Sequence, residues 1–232
     1  MAYQVFTNGS VLAASEINEN LMNQAVIVFS SSATRAAAIP SPTEGMLTWL
    51  QDTNKYEYYN ELGAWVTLGA PGLELIKVET IGTAVSSIPV ASAFSTTYDN
   101  YKIIIQGGTA STTGDLSIQM TGAVTGYYSG TVRVVAAGTG SFTGQSNQAS
   151  MEIGRYTTGT NQPSATLEIM APFQAARTTM TSTSIFGDTT NGPFRQIAGF
   201  LNNTSSYTGF TILAGSGTLT GGTISVYGYR KA

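Results

Sequence analysis

The chain has neither cysteine nor histidine among its 232 residues. Without thiols there is no disulfide framework and no thiolate metal site. Without imidazole the commonest general base and the usual zinc ligand are missing, and with them every Ser-His or Cys-His arrangement. Charge is scarce as well: Asp, Glu, Lys and Arg make up 10% of the residues, against about 25% in an ordinary soluble domain. A formal net charge of −3 offers no surface to a phosphate backbone, so nucleic acid is not an expected partner. No apolar run reaches the roughly 18 residues of a membrane span, so membrane insertion is not expected. Met1-Ala2-Tyr3-Gln4-Val5-Phe6 has neither the basic segment nor the apolar stretch of a secretion signal. The expectation is a protein made in a cytoplasm and put to work by assembly.

What is present is alternation. Leu116-Ser117-Ile118-Gln119-Met120-Thr121 reads apolar, polar, apolar, polar, the period-2 pattern of a strand with one buried face. Ten such strands are predicted beyond Gly72: Leu75–Ile81, Tyr101–Gln106, Asp115–Thr121, Thr131–Ala136, Ser150–Gly154, Ala165–Met170, Thr178–Phe186, Arg195–Leu201, Phe210–Leu213 and Thr223–Tyr229. Turns such as Gly107-Gly108, Gly138-Thr139-Gly140 and Asn202-Asn203 separate them. With no helical stretch to serve as a crossover, residues 73–232 read as an all-β, antiparallel sandwich of jelly-roll type. The surface is Ser, Thr, Gly, Asn and Gln where an enzyme would carry Lys and Glu, which suits a rigid part in an assembly.

The front of the chain divides further. Residues 1–24 carry the best helix signal, Ser15 to Gln24, with Glu16 and Glu19 near its positive end and Ile17 and Leu21 one turn apart, a short helix expected to dock on the chain's own body or on a partner. Residues 25–70 begin with a strand, Ala25-Val26-Ile27-Val28-Phe29, followed by a small-residue linker, Ser30 to Pro42, in which Ile39-Pro40-Ser41-Pro42 enforces extension. A three-stranded meander follows: Met46–Gln51, the turn Asp52-Thr53-Asn54-Lys55, Tyr56–Tyr59, the turn Asn60-Glu61-Leu62-Gly63, and Ala64–Leu68. Such a sheet is too small for a core of its own, so its aromatic face is expected to need a partner. Gly69-Ala70-Pro71-Gly72 is the hinge.

Two stretches carry a family resemblance. Leu21-Met22-Asn23-Gln24, Ala33-Thr34-Arg35, Pro42-Thr43-Glu44-Gly45-Met46, Asp52-Thr53-Asn54, the Tyr56–Tyr59 cluster and Trp65-Val66 follow one another in an order that resembles the short adaptor of tailed-bacteriophage minor tail proteins and fibres. The chain departs from the usual form where Arg35 leads into Ala36-Ala37-Ala38 with no proline directly after it. Tyr98-Asp99-Asn100-Tyr101-Lys102-Ile103, Gly126-Tyr127-Tyr128, Gly215-Ser216-Gly217-Thr218 and Ile224-Ser225-Val226-Tyr227-Gly228-Tyr229 resemble the β-sandwich domains that end such proteins. The resemblance implies a non-enzymatic structural protein of the virion, a tail fibre or minor tail protein, assembled in the host cytoplasm. It further implies a homotrimer, attached to other virion proteins through residues 1–70, with a C-terminal head that contacts a bacterial surface glycan or protein. A capsid decoration or head fibre protein, a glycan-degrading tail spike and a free carbohydrate-binding module are the alternatives that the residues leave open.

Candidate sites each have a plainer reading. Glu152, between Met151 and Ile153, and Glu168, between Leu167 and Ile169, hold polar positions of alternating strands. On neighbouring strands they would face one another at the spacing of a glycosidase pair. The plainer reading, carried forward here, pairs them with Arg133, Arg155 or Arg195. Tyr127-Tyr128 is either a sugar-stacking loop or packing, with packing expected. Trp49, Trp65, Tyr56, Tyr58 and Tyr59 are expected to fill the packed face of the meander. Asp52-Thr53-Asn54 and Asp188-Thr189-Thr190-Asn191-Gly192 lack the spacing and closing Glu of a calcium loop. The sequons at Asn202 and Asn203 mark a polar turn, and Gly215-Ser216-Gly217 lacks the context and the Lys of a phosphate loop. No catalytic residue, metal ligand or cofactor is expected.

Overall fold

In the computed structural model the described residues are 11, 13, 26–69, 72–134, 138–158, 164–185 and 194–230. They fall into two compact units, Met1–Pro71 and Gly72–Ala232. The helix expected over Ser15–Gln24 lies outside the described residues, as does the Asp188–Gly192 turn.

The first unit contains β1 (Ile27–Phe29), α1 (Ser32–Ala38), β2 (Leu47–Leu50), β3 (Lys55–Tyr59) and β4 (Trp65–Thr67), with the strands ordered β1-β2-β3-β4 in one sheet. The expected meander is present as β2 to β4. The expected linker is not a linker: seven of its residues form α1. Ser31 Oγ accepts from the Thr34 N–H at 3.3 Å, and Thr34 Oγ1 accepts from the Ser31 N–H at 3.0 Å, a reciprocal cap that satisfies two orphan donors. The Ala-rich turn that follows favours helix, and Pro40 stops it at Ile39. This helix has a topological task. β1 pairs with β2 in parallel, Val28 opposite Trp49, and parallel neighbours cannot be joined by a hairpin.

Among the described residues the second unit contains fourteen strands. They are β5 (Leu73–Thr80), β6 (Ser87–Val90), β7 (Asn100–Gln106), β8 (Thr109–Ala110), β9 (Gly114–Met120), β10 (Tyr127–Val134), β11 (Gly140–Gln148), β12 (Met151–Tyr156), β13 (Ser164–Met170), β14 (Thr178–Ile185), β15 (Phe194–Leu201), β16 (Phe210–Ala214), β17 (Leu219–Thr220) and β18 (Thr223–Tyr229). An eight-stranded sheet, β11-β10-β15-β14-β13-β7-β18-β5, and a four-stranded sheet, β12-β9-β16-β6, are antiparallel throughout. The chain passes back and forth between them, as in jelly rolls, and the all-β sandwich read from the sequence is the fold. All ten expected strands are present. β6 and β11, with the two-residue β8 and β17, are additional. β6 is an edge strand carrying Pro89, a position where a missing N–H is tolerated.

The core lies between the sheets. Tyr101, Ile103, Leu167, Ile169, Ile197 and Val226 come from the larger sheet; Ile118, Met120, Ile153 and Phe210 from the smaller. Three buried tyrosines share one device. The Tyr101 hydroxyl accepts from the Ser95 N–H at 2.8 Å and donates to the Ser95 carbonyl at 3.0 Å. The Tyr156 hydroxyl does the same at Ser216, accepting at 3.1 Å and donating at 2.5 Å. The Tyr127 hydroxyl accepts from the Met120 N–H at 2.6 Å and donates to the Ala123 carbonyl at 3.2 Å. Each ring fills the core while its polar tip pins a loop backbone that would otherwise be left unsatisfied.

The two sheets approach most closely where β12 crosses β14. Ser182 Oγ donates to the Ile153 carbonyl at 2.5 Å, and the Arg155 N–H donates to Ser184 Oγ at 3.4 Å. A Cβ at Gly154 would stand 2.6 Å from Ser184 Oγ and 2.8 Å from Ser184 Cβ. Gly154→Ala should therefore destabilise the unit by about 1–3 kcal/mol, the usual cost of overpacking, seen as a lower urea midpoint. Adding Ser184→Gly should recover part of that loss. An unchanged midpoint in Gly154→Ala would show that the sheets are not fixed at this crossing.

Candidate interaction surfaces

Cross-strand partners share a face of a sheet, so the register sorts the side chains of the first unit. Thr48 and Leu50 are buried and lie on one face. Opposite Thr48 stands Glu57, which makes an ion pair with Arg35 of the helix. The Arg35 guanidinium lies 4.1 Å from the centre of the Trp65 ring, and Trp65 meets Tyr59 edge-on at 5.3 Å. This face is closed by the chain itself.

The other face is open. Val28, Trp49 and Tyr56 are aligned across β1, β2 and β3, and Leu47, Tyr58 and Val66 across β2, β3 and β4. Trp49 and Tyr56 rings touch at 4.6 Å. Val28 is 56% exposed, Tyr56 45% and Tyr58 37%, and the flanking Val26 and Leu68 are exposed too. None of these side chains is charged. The expectation that all five aromatics fill one packed face is thus corrected: Trp65 and Tyr59 lie on the face that Arg35 of α1 reaches, whereas Trp49, Tyr56 and Tyr58 form the open face. Thr67, Glu57 and Lys55 hold the alternate positions and so point away from it.

The second unit also has an open face, the outer side of the eight-stranded sheet. Its rows follow from the register. One runs Tyr128, Phe200, Thr179, Met170, Asn100; the next runs Gly130, Ala198, Thr181, Glu168, Lys102, Tyr227, Leu75. Among the described residues, this unit has eight large apolar side chains classed as exposed. Leu73, Leu75, Val78, Val134, Phe142, Met170 and Ile185 all belong to this face, and Val124 alone lies elsewhere. Exposed apolar residues scattered singly are ordinary; confinement to one face is not.

Glu152 and Glu168 do not form a pair. Glu152 belongs to the smaller sheet and makes an ion pair with the buried Arg195, which also reaches Asp115 at 3.1 Å. Arg155 reaches the same Asp115 oxygen at 3.2 Å. Glu168 sits on the outer face of the larger sheet, 2.8 Å from Lys102 Nζ, and accepts from the Tyr229 hydroxyl at 2.6 Å. The Arg195 partner is among those read from the sequence, whereas the Lys102 partner is not. Asn100, Met170 and Tyr229 join Glu168 around a shallow hollow of about 330 Å³.

The remaining candidates are structural in their contacts. Tyr127 is a core residue and Tyr128 a strand residue stacked on Phe200 at 5.2 Å, with the Arg177 guanidinium 4.8 Å from the Phe200 ring. Both stand in β10, not in a loop. Asn54, at φ 52°, closes the β2–β3 turn. Asn203 Oδ1 accepts from the Ser205 N–H and the Tyr207 hydroxyl, and Ser216 is the residue clamped by Tyr156. Among the described residues no group of three or more acidic side chains gathers where it could hold a metal ion.

No family model and no curated protein matches the chain. Among solved structures it aligns with infectious bursal disease virus, Gt strain, at 12% identity and a TM-score of 0.17, over 76% of this chain and 45% of that one. The Gx strain gives 13% and 0.14, over 75% and 47%. The VP2 subviral particle of the same virus gives 10% and 0.11, over 82% and 49%. The chain spans about half the length of these structures, and TM-scores this low carry no information about its fold or role.

Tyr229 of the outer face and Tyr98 of the core have displaced titrations. The bond from Tyr229 to the Glu168 carboxylate, with burial and the carboxylate charge, pushes its phenol up to about 12. Burial, then the hydrogen bond to Glu74, pushes Tyr98 up to about 12 also. Both keep their protons where an unfolded tyrosine, near 10, loses them. Their contribution to stability is complete below about pH 10 and is lost as pH rises toward about 12. Ultraviolet titration of tyrosinate should show Tyr229 ionising at lower pH in Glu168→Gln, where the neighbouring negative charge is gone. A curve unchanged from the parent would mean that Glu168 does not hold the phenol.

Proposed function

We propose that this chain is a structural, non-enzymatic subunit of a tailed-bacteriophage particle, a short tail fibre or minor tail component that assembles as a homotrimer. In this reading, residues 1–70 attach it to other virion proteins and the C-terminal head contributes to contact with the host surface. The observation that carries the proposal is the open face of the first unit. A four-stranded sheet with Val28, Trp49, Tyr56 and Tyr58 on its uncovered side has no reason to stay so in water, and three copies around one axis would bury it. The adaptor resemblance runs through the same unit and includes Tyr56 and Tyr58. Ion-paired carboxylates on different sheets support the non-enzymatic reading. The mechanism is avidity: heads held at fixed spacing gain far more than one head alone.

Light scattering after size-exclusion chromatography tests this directly. The parent chain should show a mass of three times 24.3 kDa or a multiple of that trimer mass. Tyr58→Lys and Val28→Lys place a charge on the open face and should lower the mass below three subunits with the far-ultraviolet circular dichroism unchanged. A parent protein that runs as a monomer at micromolar concentration would refute the proposal.

A further inference from the structure

We infer that the outer face of the head's eight-stranded sheet is a second self-contact, in which heads of two copies of this chain cover one another. It goes beyond the proposed function, which needs only the first unit to join copies.

Three features point to a copy as the occupant. The first is size: eight strands at about 4.8 Å, each presenting about four outward residues some 6.8 Å apart, give a face of roughly 1,000 Å². A stable interface needs about 800 Å² from each partner, so the face is large enough by itself. The second is charge. Within the strands the only charged side chains on this face are Lys102 and Glu168, adjacent and 2.8 Å apart. The pair is neutral and self-complementary, so the same pair offered by a second head can meet it without leaving a charge buried alone.

The third feature is the contrast between the two edges of that sheet. β5 carries Glu74, Lys77 and Glu79, the charges by which edge strands discourage pairing with other chains. β11 is nine residues long, exposed at every position, and has no charge and no proline. Phe142 in its middle is 81% exposed. Protection is present on one edge and missing on the other, as expected if β11 and the face beside it are covered in the assembly.

The absence of native cysteine makes the test direct. Thr181→Cys lies mid-sheet and Thr183→Cys one row away; Val124→Cys, 66% exposed and off the face, is the control. In the full-length protein, a short bis-maleimide should link Thr181→Cys or Thr183→Cys into covalent dimers, one thiol from each copy adding to each end of the reagent. Val124→Cys should not link, and a mono-maleimide should label it at least tenfold faster. Labelling at the control rate without covalent oligomers overturns the inference. Slow labelling without covalent oligomers also overturns it, because something other than a copy would then cover the face. Failure of the adaptor reading is a separate result: Tyr58→Lys would leave the scattering mass unchanged while the Thr181→Cys link still formed.

Discussion

A sheet has two faces, and burying one requires another element to be laid across it. In the first unit Arg35 of α1 reaches one face of β1–β4, at Glu57 and Trp65; in the second, the four-stranded sheet covers the inner face of the eight-stranded one. Among the described residues the chain has no further helix, and its one further sheet, the two-stranded β17-β8, is too small to cover either of the two faces that remain. Both remaining faces are poor in charge, one rich in aromatics and the other in Thr with grouped Leu, Val, Ile and Met. The low charge of the whole chain then has a specific place in the structure. It marks the surfaces on which an assembly can close, since water is displaced from Thr, Tyr and Val at far less cost than from Lys or Glu.

Scarcity of charge also shapes the interior. Loops at the rims of the sandwich have backbone groups that need partners, and the chain meets them with tyrosine hydroxyls at Ser95, Ser216 and Met120/Ala123. A hydroxyl can donate and accept at once, so one neutral group satisfies an N–H and a C=O that a lysine or a carboxylate could satisfy only in part. Charges enter the interior only where a side chain must span a gap. Arg195 does so from β15 to the smaller sheet, and Arg35 from α1 to Glu57. The long planar guanidinium suits both, since it offers several donors and, at Trp65, a surface that stacks.

Most of the fold was legible because period 2 is a strong signal wherever one side of a strand is buried. The ten strands read from the sequence are those with that pattern. β11 escaped because every residue of Gly140–Gln148 is exposed: a strand open on both sides has no reason to alternate. α1 escaped because Ser-rich and Ala-rich runs before Pro-x-Pro read as a linker, although Ser31-x-x-Thr34 was a visible cap. The carboxylates were legible as ion-paired residues, but Lys102 was not, since opposition across β7 and β13 depends on pairing between strands some sixty residues apart. The open aromatic face was half legible. Composition showed too many rings for so small a sheet, yet only the register shows which rings share the face that Arg35 reaches and which do not.

That division rests on how β1 joins the sheet. The side-chain period is two, so a slip of one residue against β2 would send Ile27 and Phe29 to the open face and Val28 to the face that Arg35 reaches. The Gln51 N–H donating to the Phe29 carbonyl at 2.9 Å and the Asp52 N–H donating to the Ser30 carbonyl at 3.2 Å hold the register from one end. The Ser31–Thr34 cap fixes where the chain leaves the strand and starts the helix, and so where Arg35 falls relative to Glu57 and Trp65. A cap, a crossover and one buried ion pair therefore decide which apolar side chains this protein keeps and which it presents. The surface offered to other copies is set by the same contacts that fold the unit, and it cannot be altered by slipping the strand without also uncoupling Arg35 from the carboxylate beneath it.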